Sequence, residues 1–388
     1  MKPSYLPVRR VFPFFFRSFM MAAAALVATT TAYSAPDSSK TPSSHPSSAA
    51  HASDAHTQPA PPVNHDSLFV LENAHLTNIR QLTFGGQNAE AYFNVDGTSL
   101  TFQSTRKDHE CDAIYRMRAD GSDLRQISSG LGVTTCSFMA PDGKSIIYAS
   151  THLSDSVCPP RPDMSQGYVW ALYKNYDIFS TNPDGGDIRR LTDADGYDAE
   201  CVFSPNGERI IFTSARDGDL ELYVMNPDGS NQTRITHSPG YDGGAFFSAD
   251  GKKIVWRASR PEGAALTEFR ELLAQGLVRP SRLEILIADA DGSNVVQLTD
   301  NGKANFAPFC HPGGRFVIFA SNMNDSKGRN FDLFTVEIAT KAIQQITFND
   351  TFDGFPMFSP DGKKLVFASN RLGKVRGETN IFIADWVN

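Results

Sequence analysis

The chain has 388 residues, with 43 Asp and Glu against 36 Lys and Arg and a formal net charge of −7. That acidic balance excludes nucleic acid and anionic membrane as main partners, because both would repel it. The length exceeds one small domain, but a repeat array can reach it as a single folded unit.

Residues 1–35 read as an export signal peptide. Arg9 and Arg10 precede an apolar run, Val11 to Val27, interrupted by Pro13 and Arg17-Ser18; the small residues Ala32, Ser34 and Ala35 follow. The run is short, so cleavage is expected, leaving no stable membrane span. Arg9-Arg10-Val11-Phe12 resembles a twin-arginine signal. No Cys precedes Cys111, which excludes a lipid-attached N-terminal Cys in this sequence. Residues 36–66 are rich in Ser, Pro, Ala and His. They lack the apolar content that offsets ordering entropy and are expected to be a disordered linker. The histidines there (His45, His51, His56 and His65) are expected to be solvated.

From residue 67 to 388 one unit recurs. A degenerate Pro-Asp-Gly turn stands at Asp96, Asp142, Asn206, Asp250, Gly313 and Asp361, at intervals of 46, 64, 44, 63 and 48 residues. Each is preceded by a Gln/Arg-Leu/Ile-Thr/Ser triplet, from Gln81-Leu82-Thr83 to Gln345-Ile346-Thr347. A period in the forties with several strand-like runs per copy is the signature of a β-propeller. In residues 197–236, strands are expected at Ala199–Ser204, Arg209–Ser214, Glu221–Asn226 and Gln232–Thr236, with turns at Pro205-Asn206-Gly207 and Asp228-Gly229-Ser230. Six such units predict an all-β, six-bladed propeller of four-stranded antiparallel blades. The last unit ends after its third strand, and His75–Thr83 is a fourth strand with no blade before it. This N-terminal strand is therefore expected to complete the last blade and close the ring.

The pattern Leu-Thr, Asp-x-x-x-x-Phe-Ser-Pro-Asp-Gly-Lys, Phe-x-Ser and Ile-Phe resembles the TolB-like β-propeller repeat family, a relative of the WD repeat, across residues 68–388. The resemblance implies a scaffold of the periplasm or cell envelope that binds a protein or an envelope polymer. Related propellers also occur in lyases and beside peptidase domains, so the fold alone does not fix an activity.

Strand direction divides the molecule into two faces. The Pro-Asp-Gly turn and the Asp-Gly-Ser turn fall on one face of an up-and-down blade, and their repetition marks that face as structural. The opposite face carries the two long insertions, His152–Tyr176 and Arg260–Arg282, and is expected to be the binding face. Eight residues before each turn stand Asn88, Thr134, Asp198, Asp242, Asn305 and Asp353; six before stand Glu90, Cys136, Glu200, Gly244, Ala307 and Phe355. Strict strand alternation would aim both tiers into the channel. Carboxylates about 8 Å apart repel by about 2 kcal/mol at an effective dielectric near 20. A ring of Asp198, Asp242, Asp353, Glu90 and Glu200 would therefore seek a cation, either Ca²⁺ or a partner's Lys or Arg. The alternative is that these residues satisfy local backbone.

Around that ring, Asn88, Asn305, His152, Tyr168 and Trp170 are the candidate binding residues. Aromatic rings on an exposed loop can stack on a sugar or a partner, or simply anchor the loop. Ala264–Gln275 reads as an amphipathic helix with Leu266, Phe269, Leu272 and Leu273 on one side and Gly276 as its stop. Cys111, Cys136 and Cys158 share the binding face, so an exported protein should form one disulfide among them; Cys136–Cys158 is the preferred pair, and Cys201 and Cys310 are expected to be buried thiols.

The sequence has no Gly-x-Ser-x-Gly, His-Glu-x-x-His, P-loop or Cys-x-x-Cys motif. The reading is an exported, non-catalytic, monomeric propeller with no cofactor beyond that Ca²⁺. The alternative is a metal-dependent polysaccharide lyase or hydrolase using Glu90, Glu200 and His152 at the channel mouth.

Overall fold

The computed structural model describes residues 69–106, 109–165 and 167–387. The export signal and the linker read from the sequence lie outside the described residues. Six four-stranded antiparallel sheets follow one another along the chain as the blades of a propeller. Their inner strands are Gln87–Phe93, Thr134–Met139, Asp198–Phe203, Asp242–Phe247, Asn305–Cys310 and Asp353–Phe358. In blade 3, which illustrates the rest, Asp198–Phe203 is followed outward by Ile210–Ser214, Glu221–Met225 and Thr233–Arg234. Five of the six outermost strands have two or three residues, and that of blade 6 is longer.

The repeat becomes a core through one ring in each second strand. Phe102, Tyr148, Phe212, Trp256, Phe319 and Phe367 stand fourteen residues after Asn88, Thr134, Asp198, Asp242, Asn305 and Asp353 of their inner strands, and all are fully buried. In five blades this ring faces an aromatic residue of the third strand, with centroids 5.7–6.1 Å apart; Trp256 pairs in register with Leu286. Such cross-strand pairs fix register and fill the blade interior together.

Closure follows the expectation. Leu76–Gln81 is the outermost strand of blade 6, antiparallel to Asn380–Trp386. Ile79 and Leu76 enter the core and Phe348 donates its N–H to Glu72. Glu72 lies in a single helical turn, Val70–Glu72, just before the strand. Its carboxylate receives Arg371 Nη1 at 2.8 Å and Nη2 at 3.1 Å, and Arg371 also donates to Asp353 at 2.6 Å. Glu72 and Arg371 are 2% and 1% exposed, so neither charge could be left alone without a large desolvation cost.

Two outcomes test this account. Deletion of residues 68–83 should lower the unfolding midpoint of the whole ring in calorimetry; an unchanged midpoint would refute closure by this strand. Arg371→Met leaves Glu72 and Asp353 buried without their counter-charge and should cost about 3–5 kcal/mol in urea unfolding at pH 7.

Candidate functional site

The site is built by a backbone feature that strand alternation does not predict. Every inner strand breaks register after its second or third residue. The residue at the break has positive φ: Glu90, Cys136, Glu200, Gly244, Ala307 and Phe355, at 50–62°. A β-bulge with one left-handed residue re-aims the side chains on either side of it. The two tiers therefore separate instead of sharing one direction.

The upper tier turns into its own blade. Asp198 accepts Ser214 Oγ at 2.6 Å and Arg216 Nη2 at 2.7 Å. Asp242 accepts Trp256 Nε1 at 2.6 Å and Arg260 Nη2 at 2.7 Å. Asp353 takes Arg371. Asn88 and Asn305 each accept the serine sixteen residues on, at 2.8 and 2.7 Å, and donate to a carbonyl of the neighbouring blade, Thr379 and Leu283 respectively, both at 2.7 Å. In blade 2 the Thr134 hydroxyl donates to the Asp112 carbonyl at 3.0 Å, while the His152 Nδ1 lies 2.8 Å from Ser150 Oγ and its ring packs on Phe179 at 4.2 Å. Burial lowers the His152 pKa from its ordinary value. The ring of Asp198, Asp242, Asp353, Glu90 and Glu200 is thus corrected: the three aspartates are side-chain latches within blades. Among the described residues, no three His, Cys, Asp or Glu side chains converge as a metal-ligand set.

The lower tier converges across blade boundaries. Arg257 of blade 4 donates through Nη2 to Glu200 of blade 3 and, at 2.6 Å, to Tyr241 Oη. Thr213 Oγ1 donates to Glu200 at 2.7 Å. A Cβ on Gly244 would collide with the Arg257 guanidinium, so glycine leaves the space that Arg257 fills. Burial alone would lower the Arg257 pKa, but the neighbouring Glu200 and Tyr241 hold it above its ordinary value. Glu90 has one carboxylate oxygen buried with no hydrogen-bond partner. Burial pushes its pKa to about 7, with Cys136 opposing and the Glu200 charge adding to the rise. Two residues further along four of the inner strands, Tyr92, Phe138, Phe246 and Phe309 meet with centroids 5.1–6.2 Å apart. Their rings form a floor beneath this polar tier.

The insertions roof the same side. Trp170–Ala171 of the first pairs with Leu277–Val278 of the second as a two-stranded antiparallel sheet. The helix Gly263–Ala274 matches the expected amphipathic segment; its Phe269 is buried beside Leu172, Leu220, Tyr241 and Val278. Trp170 packs on Tyr241 at 6.3 Å and under the Arg257 guanidinium at 5.1 Å. It anchors the loop. Tyr168 is 52% exposed and its hydroxyl accepts the Trp170 Nε1 at 3.1 Å. The disulfide joins Cys158 to Cys111, not to Cys136. Cys136 occupies a left-handed bulge position and is a buried free thiol beside Thr135. Cys201 and Cys310 are buried thiols, as expected.

Arg257, Tyr241 and Arg371 escaped the sequence reading. Arg371 had a signal: Arg106, Arg216, Arg260 and Arg371 all stand eighteen residues after the latch position. Arg257 had none, because its partner comes from another blade. A separate groove of about 850 Å³ lies beside the turns of blades 3 and 4, lined by Asn206, Asp250 and Asp291 among others. It is far from this chemistry in the fold.

Comparison with known proteins agrees with the architecture. Residues 161–271 match the TolB beta propeller domain family. A 127-residue stretch is 34% identical to the Tol-Pal system protein TolB of Francisella tularensis subsp. holarctica, covering 31% of this chain and 27% of that protein. The chain therefore spans about a quarter of the length of that curated relative. The crystal structure of TolB from Acinetobacter baumannii superposes with a TM-score of 0.51 at 20% identity, over 78% of this chain and 64% of the other. A gluconolactonase from Xanthomonas campestris superposes at 0.52 with 11% identity, over 84% of this chain and 95% of that one. Both structural likenesses establish the fold alone.

Glu90 gives a pH test. The folded chain keeps its proton up to about pH 7, whereas an unfolded glutamate releases it near 4.5. The native state thus holds more protons in that window, and stability falls as pH rises through it. Relative to wild type, Glu90→Gln should gain on the order of 2–3 kcal/mol between pH 4.5 and 8 in urea unfolding. Parallel pH profiles would contradict the assignment.

Proposed function

This chain belongs to the TolB-like β-propeller repeat family, and we propose that it is an exported, non-catalytic scaffold that binds a protein or a cell-envelope polymer through its insertion face. The observation that carries this reading is the pairing of the two insertions. The two departures from the repeat, from blades 2 and 4, meet as one sheet on one face, and a disulfide ties the first of them to blade 1. Building such a platform orders the extra residues that lengthen two repeat intervals to 64 and 63, against 44–48 in the others, an entropy cost that recognition can justify. The opposite face carries short repeated turns, most of them stabilised by their own Asp or Asn, such as Asp250 with Ser248 and Lys252, and in blade 5 by His311.

Export is supported by the signal-like N-terminus and by a disulfide, which persists in oxidising compartments. An envelope role is supported by the partial likeness to a Tol-Pal system protein. Among the described residues no helix is long and apolar enough to cross a membrane. The metal-dependent lyase reading gains no support from the side chains it needs, since Glu200 is engaged by Arg257 and His152 by Ser150.

A photo-crosslinking amino acid at Tyr168, on the insertion face, should capture an envelope component in cells. The same probe at Asp142, in a turn of the opposite face, should capture none. Adducts from Asp142 alone would place recognition on the wrong face, and an absence of adducts from both would reject the proposal.

A further inference from the structure

Six equivalent latches invite comparison, and two of them share features that point to a ligand. In blade 6, Arg371 holds a second carboxylate besides Asp353. Glu72 reaches it from outside the blade, sets both oxygens on the guanidinium at 2.8 and 3.1 Å, and accepts the Phe348 N–H at 3.1 Å. Phe69 lies over the same guanidinium, 4.3 Å from its ring centre. This is a carboxylate seat of three parts: a latch arginine, the N–H of the residue after the repeat triplet, and an aromatic ring on the guanidinium. Two-point capture of a carboxylate by arginine gives both strength and direction.

Blade 1 repeats the first two of those parts, and its Tyr115 stands where blade 6 has Phe382. Gln81-Leu82-Thr83 is followed by Phe84, as Gln345-Ile346-Thr347 is followed by Phe348. Arg106 stands eighteen residues after Asn88, as Arg371 stands after Asp353. In the other four blades the residue after the triplet is Ser129, Asp193, His237 or Asp300, so none combines arginine with phenylalanine in this way except blades 1 and 6. The charge balance of blade 1 differs. Arg106 Nη2 reaches only the neutral Asn88 side-chain oxygen, at 3.4 Å, and its Nε is buried with no partner. The Tyr115 ring lies 4.8 Å from the guanidinium carbon. Among the described residues no carboxylate pairs with Arg106, and no acceptor takes the Phe84 N–H. Phe84 itself is 57% exposed. Burial lowers the Arg106 pKa, as expected for a guanidinium without a counter-charge.

We infer that Arg106 and the Phe84 N–H form a second carboxylate seat on the insertion face, which takes the Glu or Asp side chain of a partner polypeptide. Glu72 in blade 6 is the internal example of how such a group docks. Asn88 favours the seat further, because Asp353 shares Arg371 with Glu72 whereas Asn88 brings no competing charge. The inference rests on the insertion face being the binding face and adds what kind of group it receives.

The probe is an acetylated peptide of residues 67–74, Ser-Leu-Phe-Val-Leu-Glu-Asn-Ala, added to the intact protein and followed by isothermal calorimetry. It should bind saturably and weaken with rising salt. Removing a charge-assisted pair should weaken binding about tenfold or more, both for Arg106→Gln protein and for a peptide with Gln in place of its Glu. The peptide substitution needs no protein variant, so a misfolded Arg106→Gln would not obscure the result. Arg315→Gln, an exposed arginine of the turn face, should leave binding unchanged. No saturable binding, or equal binding by the Gln peptide or by a folded Arg106→Gln, would overturn the seat. Retained cross-linking from Tyr168 in that event would leave the binding face standing and remove only the seat.

Discussion

One backbone constraint organises this molecule: each inner strand carries a single residue in the left-handed region, at the same place in all six blades. For a residue other than glycine that conformation costs on the order of 1–2 kcal/mol, so it persists only where the surroundings repay it. The repayment is division of labour. The residue two before the bulge turns into the blade and finds a serine, a tryptophan or an arginine. The bulge residue itself is brought among its counterparts from other blades. No β-branched residue stands at any of the six positions, as expected where left-handed backbone would crowd a branched Cβ.

The consequence is a polarity gradient around the axis. On the side of blades 1–3 the bulge residues are Glu90, Cys136 and Glu200, with Arg257 reaching across from blade 4. On the side of blades 5 and 6 they are Ala307 and Phe355, and Phe306, Phe331, Phe352 and Phe355 pack with centroids 4.9–6.3 Å apart. The platform made by the insertions joins blades 1, 2 and 4 through a disulfide, the parent blade and a strand pairing. Acidic groups and platform thus share one side of the face, and aromatic rings hold the other.

Electrostatics at the rim follow from the same arrangement. Three latch arginines meet an aspartate in their own blade, and Arg371 additionally receives Glu72 from the closing segment. Ring closure and rim charge are therefore one network in blade 6. Asp332 belongs to it: burial, with Asp353 and Glu72 nearby, pushes its pKa to about 7. Closing the ring by a strand from the N-terminus makes the first described residues as important to the fold as any blade.

The sequence by itself determined the blade count, the turn face and the closing strand, because each rests on local signals repeated six times: a tight turn, alternating β-branched and aromatic residues, and a strand left over at one end. It also determined where the ring departs from its repeat, since insertions interrupt the period. Only the tertiary structure decided which way Asp198, Asp242 and Asp353 point, because one left-handed residue per strand reverses what alternation implies. Only it could choose Cys111 over Cys136 for Cys158, since the choice depends on the first insertion reaching back to blade 1. The pairing of the two insertions, and of Arg257 with Glu200, depends on contacts between blades far apart in the chain. A spacing within one repeat cannot encode such contacts, and the site is made of them.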